Sequence, residues 1–196
     1  MNNRNAYFDA SFKTRETVHD DGQTERYIDG YFIVYDRETE LFPGFFEKIA
    51  KGAADSSLEN NDIRVLFNHN TDIVLGRKSS GTAEFRSDEH GLHCSVRVNE
   101  SDTQAMDAYN RVKRGDITGC SFGFIPVREE YEDSADGSVH CTVSEADIME
   151  VSVCSFPAYP QTEIVARQRA HEACTKHKVA LRKAELKKKL EELKNA

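Results

Sequence analysis

From Tyr27 onward, short runs of aromatic and β-branched residues recur, and Gly, Pro, Asn or Asp closes most of them. That rhythm commits the chain to a sheet-rich fold. Such side chains fit a pleated, half-buried surface, and such breakers fit tight turns. Tyr27-Ile28-Asp29-Gly30-Tyr31-Phe32-Ile33-Val34-Tyr35 is the first run and Ile63-Arg64-Val65-Leu66-Phe67 the second. Strands are expected again over 73–75, 83–86, 92–98, 117–127 and 148–156, with turns at Gly81 and Asp88-Glu89-His90-Gly91 and an acidic loop over 129–137. The first 27 residues are polar and mostly unpatterned, apart from a turn signal at Asp20-Asp21-Gly22.

Helical signals are fewer. After the turn Leu41-Phe42-Pro43-Gly44, the segment Phe45-Phe46-Glu47-Lys48-Ile49-Ala50 reads as a short amphipathic helix. A second helix is expected over 102–114, with Ser101 or Asp102 as its cap, Met106, Tyr109 and Val112 on one face, and Gly115 as its stop. From Glu163 onward Pro and Gly disappear, and Val179, Leu186, Leu190 and Leu193 form an apolar stripe. The stripe is too short for a coiled coil, but it suits docking on a partner or on a second copy. The expectation is an α+β chain dominated by a sheet or barrel. Its body covers 1–162 and closes at Phe156-Pro157-Ala158-Tyr159-Pro160; a basic helical extension covers 163–196.

Charge divides along the same line. The net charge is −8, yet residues 165–196 hold ten Lys/Arg against four Asp/Glu, so the preceding residues carry −14. An acidic body argues against nucleic-acid binding, which needs clustered cations. No run approaches the roughly 18 apolar residues of a membrane span, and the first residues lack the apolar stretch of a signal peptide. Five cysteines, an odd number without a CxxC pair, read as reduced thiols. The cytoplasm of the producing cell is therefore the expected compartment.

Two segments carry candidate chemistry. In Gly115-Asp116-Ile117-Thr118-Gly119-Cys120-Ser121-Phe122-Gly123-Phe124, period-two alternation puts Cys120, Phe122 and Phe124 on one face and Gly119, Ser121 and Gly123 on the other. The aromatic face is core. The other presents one hydroxyl between two residues without side chains, which leaves room for a substrate backbone; a tightly packed sheet gives the same pattern. This is not the nucleophile elbow of α/β-hydrolases, because nothing after Phe124 looks helical. Cys120, although a better intrinsic nucleophile, falls on the core face.

The second segment is Leu66-Phe67-Asn68-His69-Asn70, a histidine where an apolar strand runs out. A serine needs a base to lose its proton, and imidazole titrates near neutrality. A third group should orient that imidazole. Glu150, sharing a strand face with Ser152, is the first choice, and Asp116 and His140 compete with it. His90-Gly91-Leu92-His93-Cys94 offers close metal-ligand types without a second cluster, and no phosphate-binding or dinucleotide fingerprint is present. No cofactor or metal is expected.

These pieces together resemble the phage prohead serine protease family. The resemblance rests on Leu66-Phe67-Asn68-His69-Asn70, Leu75-Gly76-Arg77, Gly91-Leu92, the stretch from Gly115 to Phe124, Glu150-Val151-Ser152 and Phe156-Pro157-Ala158-Tyr159-Pro160, in one order over about 30–160. That family is in turn similar to the herpesvirus capsid-maturation protease, assemblin. The resemblance implies a mainly antiparallel β-barrel with surrounding helices and acyl-enzyme peptide hydrolysis, with His69 as base and Ser121 as nucleophile. Where the herpesvirus enzymes place a second histidine, this chain offers Glu150. Backbone N–H groups are the default oxyanion donors, with Arg77 as a helper. The resemblance further implies action inside the procapsid in the host cytoplasm, on a capsid-protein precursor or scaffold protein as substrate. Self-cleavage and self-association are implied too, with no membrane and no nucleic-acid partner. A non-catalytic capsid-assembly module of the same fold and a cysteine hydrolase using Cys120 are the competing readings.

Overall fold

The structure, a computed structural model, describes residues 4–9, 12–155 and 160–194, with side chains over 12–155 and 172–192. Its elements follow in the order β1 (Arg4–Asp9), β2 (Lys13–Val18), β3 (Thr24–Val34), β4 (Thr39–Phe42), β5 (Phe45–Ile49), α1 (Asp55–Asn60), β6 (Arg64–Phe67), β7 (Asn70–Arg77), β8 (Ala83–Ser87), β9 (Gly91–Arg97), α2 (Thr103–Arg114), β10 (Gly119–Asp133), β11 (Val139–Cys154) and α3 (Pro160–Lys194). The expected α+β class and C-terminal helix hold. Phe156-Pro157-Ala158-Tyr159, where the body was expected to close, lies outside the described residues.

The strands form two sheets. One has seven strands along the path β1-β10-β11-β5-β4, with β6 also pairing β11 and β7 pairing β6; the other has four, in the order β2-β3-β9-β8. Cys120, Phe122 and Phe124 face the second sheet, and the Cys120 thiol lies 3.6 Å from the carbonyls of Tyr31 and Phe32. α2 seats Ala105, Ala108, Tyr109 and Val112 in the same core. The expected closed barrel is not found among the described residues, because no ladder joins the two sheets. Pairing is mostly antiparallel, but β11 runs parallel to both β5 and β6.

That double parallel pairing positions the site. β11 pairs β5 along Val139–Val143 and β6 along Glu150–Val153, on the same edge. Between them the fully buried Ser57 of α1 takes the place of a strand. Its hydroxyl donates to the Ala146 carbonyl and accepts from the Ile148 amide, both at 2.8 Å. Two backbone groups that would otherwise be buried without partners are thereby satisfied.

Three expectations change. The segment Phe45–Ile49 is a strand, because Phe45, Glu47 and Ile49 alternate inward with period two. The 129–137 loop shrinks to a turn at Ser134–Gly137, closing a long β10–β11 hairpin in which Val139, Cys141 and Val143 alternate inward. The N-terminal residues contain two strands. β2 is an edge strand whose Arg15 lies over the Tyr27 ring at 3.9 Å, so its alignment comes from a neighbour rather than from an apolar pattern. α2 matches its signals: Asp102 accepts the amides of Gln104 and Ala105, and Gly115 ends the helix at φ 83°. The five cysteines are free and buried. No helix among the described residues is long and apolar enough to cross a membrane.

Candidate active site

A two-residue turn places the histidine. Phe67 pairs with Asn70 across the β6–β7 hairpin, and between them Asn68 and His69 have φ of 52° and 57°. A tight turn of right-handed strands wants positive φ at both central positions, and Asn-Gly is the favoured pair. This chain keeps the Asn and spends the glycine position on a histidine, a costly choice for a side chain with a Cβ. Asn68 holds the turn down. Its amide donates to the Val153 carbonyl at 2.9 Å, and its Oδ1 accepts the Ser155 amide at 2.9 Å. Arg111 of α2 lies 5.7 Å from the Phe67 ring and backs the same hairpin.

On β11, Glu150 and Ser152 share the face toward which His69 turns. Glu150 Oε1 lies 2.7 Å from His69 Nδ1. A carboxylate accepts, so Nδ1 donates, and in the neutral ring this leaves the Nε2 lone pair available. The Ser152 hydroxyl donates to Glu150 Oε2 at 2.6 Å and accepts the His69 amide at 3.2 Å. One hydroxyl therefore fixes both the carboxylate and the backbone of the histidine it orients.

Ser121 stands beside this group. In the β10–β11 register Ser121 is paired with Ser152, and Gly123 with Glu150. Directly opposed Cβ atoms in such a ladder are about 5 Å apart, so the Ser121 hydroxyl emerges on the Glu150/Ser152 face. Gly123 leaves that face open where the carboxylate lies. Ser121 is fully buried, His69 and Glu150 are 12% and 15% exposed at their side chains, and both Ser121 Oγ and His69 Nε2 are buried without a hydrogen-bond partner among the described residues. A buried polar atom left unpaired is expensive and calls for a reason. Here the two such atoms are a hydroxyl and a ring nitrogen with a free lone pair.

The remaining candidates lie elsewhere. Asp116 accepts Arg114 Nε at 2.6 Å on the surface. His140 bonds Glu38 at the far end of β11. Arg77 is engaged by Asp62, with Nε to Oδ2 at 2.6 Å, and that guanidinium holds the Asp62 carboxyl well below the usual range. Cys120 is walled into the core. His90 and His93 both stack edge-on against Tyr31, and burial pushes the Cys94 thiol well up, so the trio does not converge. The bridging role of Ser152 is invisible in the sequence. Its shared face with Glu150 was the only signal, since a register cannot be read from one strand.

A model of the family described as caudovirus prohead serine protease matches residues 11–177. The prohead protease of Enterobacteria phage HK97 is 29% identical over 121 residues, which cover 60% of this chain and 51% of that protein. The chain thus spans about half the length of the curated relative it matches. No solved structure matches the chain.

Proposed function

The chain belongs to the caudovirus prohead serine protease family, and on that premise we propose that it is a serine endopeptidase of procapsid maturation. Ser121 is the nucleophile, His69 its general base and Glu150 the carboxylate that orients the imidazole. The observation that carries this reading is the pair of buried, unpartnered atoms, Ser121 Oγ and His69 Nε2, beside a His69–Glu150 bond of 2.7 Å.

In the reaction, Ser121 Oγ attacks the scissile carbonyl carbon while its proton passes to His69 Nε2. Glu150 stabilises the resulting imidazolium. Collapse breaks the C–N bond, and the same Nε2 proton goes to the leaving amine. Water, deprotonated by His69, then attacks the acyl-enzyme ester and returns Ser121 to its hydroxyl form. Ser152 keeps Glu150 in place throughout and touches no reacting atom.

The substrates in this proposal are a capsid-protein precursor or a scaffold protein, cut inside the procapsid in the host, together with the chain itself. Kinship with the herpesvirus capsid proteases belongs to the same proposal, supported by the order His69 before Ser121. Residues 1–162 form the protease domain and 163–196 a basic extension for packaging or self-association. Within that extension Cys174 is buried, and His177 Nε2 lies 2.9 Å from Asp133. Intact-mass analysis of wild type beside Ser121→Ala, each co-expressed with its capsid precursor, tests the reading. Discrete products only in the wild type support it. Identical masses with normal particle assembly overturn it in favour of a non-catalytic assembly module.

A further inference from the structure

Over Gly119–Phe124, the stretch that carries Ser121, β10 has a strand on both sides. β11 occupies one side of β10, and the other is taken by β1, which pairs antiparallel from Arg4↔Phe124 to Asp9↔Gly119 in an unbroken register with Tyr7 opposite Ser121. An extended polypeptide commonly binds as one more strand on a sheet edge, where main-chain hydrogen bonds supply the affinity. The chain's own residues 4–9 hold the edge on which such a strand would be laid beside the nucleophile.

The attachment of β1 is separable from the rest of the fold. Among the described residues β10 is its only ladder, whereas β2, beginning at Lys13, belongs to the other sheet. Between the two lies Phe12, whose ring sits 5.0 Å from that of Phe32 and against Gly30. Phe12 is thus an anchor at which the preceding residues can lift away while the four-stranded sheet stays paired. α3 packs against both β1 and β4, which gives the N-terminal strand a second support.

We propose that β1 is an internal stand-in for a polypeptide substrate, seated on the β10 edge beside Ser121, and that it must leave before a substrate strand can enter. This rests on the protease reading given above and adds a gate to it. The full burial of Ser121 then describes a closed state, with the N-terminal segment as the part that moves.

The test is the rate at which a fluorophosphonate modifies Ser121 in the 196-residue chain, read by intact mass, with Ser121→Ala as the blank. Of two neighbouring residues in an edge strand, one aims its N–H at the partner and the other aims it away. Proline at the first kind of position removes a ladder bond, and at the second it does not. Ala6→Pro and Tyr7→Pro are therefore compared. The variant that loses the ladder donor is expected to label about tenfold faster than wild type, and its neighbour to change less. An excess of a synthetic peptide with the sequence of residues 4–9 should return the faster variant towards the wild-type rate. Equal labelling of all three proteins overturns the gate while leaving the serine protease standing. No labelling of any of them overturns the nucleophile itself. On the unsubstituted chain, which needs no variant to fold, phosphonylation of Ser121 should raise hydrogen exchange across residues 4–9; unchanged exchange there also overturns the gate.

Discussion

Two serine–histidine–glutamate groups lie along β11, one toward each end, and they differ in the property that matters. At the 139–143 end, His140 Nδ1 lies 2.7 Å from Glu38 Oε1, and its Nε2 is 3.1 Å from the Ser138 hydroxyl. At the 150–153 end, His69 Nδ1 lies at the same 2.7 Å from Glu150 Oε1. By distances alone the first group is the more complete. Yet the Ser138 hydroxyl also lies 2.7 Å from Asp136, its own turn partner, while His140 stacks on Phe46 and is 28% exposed. Ser138 has one proton, and a nearby carboxylate competes for it. The His69 ring is 12% exposed, and its Nε2 is buried with no partner among the described residues. The Ser138 hydroxyl and His140 Nε2 pair with each other, whereas Ser121 Oγ and His69 Nε2 have no partner among the described residues.

The largest expected difference is between the serines. Ser121→Ala should lower kcat/KM on a capsid precursor on the order of a thousandfold or more, with His69→Ala similar. Ser138→Ala and His140→Ala should stay near wild type. A large loss in Ser138→Ala with activity kept in Ser121→Ala would reverse the assignment of the two ends. Next come the carboxylates. Glu150→Gln should cost at least a hundredfold in kcat by disturbing the tautomer and the imidazolium, and Glu38→Gln should cost little. Ser152→Ala should fall between, about tenfold, as a lost support for Glu150.

Thiol chemistry gives a third contrast. Burial and the Glu150 charge push Cys154 up to about 12, so roughly one thiol in ten thousand is ionised at pH 8. Iodoacetamide should leave proteolysis intact; rapid inactivation would return Cys120 to consideration. Ser57→Ala should lower stability by about 1–3 kcal/mol in a urea melt, since it strands two buried backbone groups between the ends of β11. The smallest effect lies away from both groups. The Tyr27 hydroxyl, His19 and Arg97 hold Glu25 down at about 2. Because its folded value is depressed, its contribution is present above its ordinary value of 4.5 and is lost as pH falls towards 2. Glu25→Gln should flatten the stability curve across that window and leave activity unchanged.

Faces were legible in the sequence; positions along a strand were not. Alternation separated Ser121 from Cys120 and put Glu150 with Ser152, since both follow from a period of two. It could not choose between Glu150 and His140, because both lie on one strand and the choice depends on which stretch of β11 the β6 strand joins. That is a long-range pairing with no local signal. The N-terminal strands were missed for a related reason: β2 exposes Lys13, Arg15 and Glu16 and has no buried apolar face, and an edge strand needs only a partner's backbone. In Phe45–Ile49 the same five residues fit both periods, and the parallel pairing with β11 decided for the strand.

The far end of α3 has a consequence of its own. From Lys178 to Glu192 every residue is exposed, including Val179, Leu181, Leu186 and Leu190. At about 1.5 Å per residue, the segment beyond His177 is a rigid arm of roughly 25 Å. A partner gripping that arm is confined to a small sphere around the body, where its effective concentration reaches millimolar levels. Under such tethering, cutting depends less on how tightly a peptide binds than on whether it is leashed within reach.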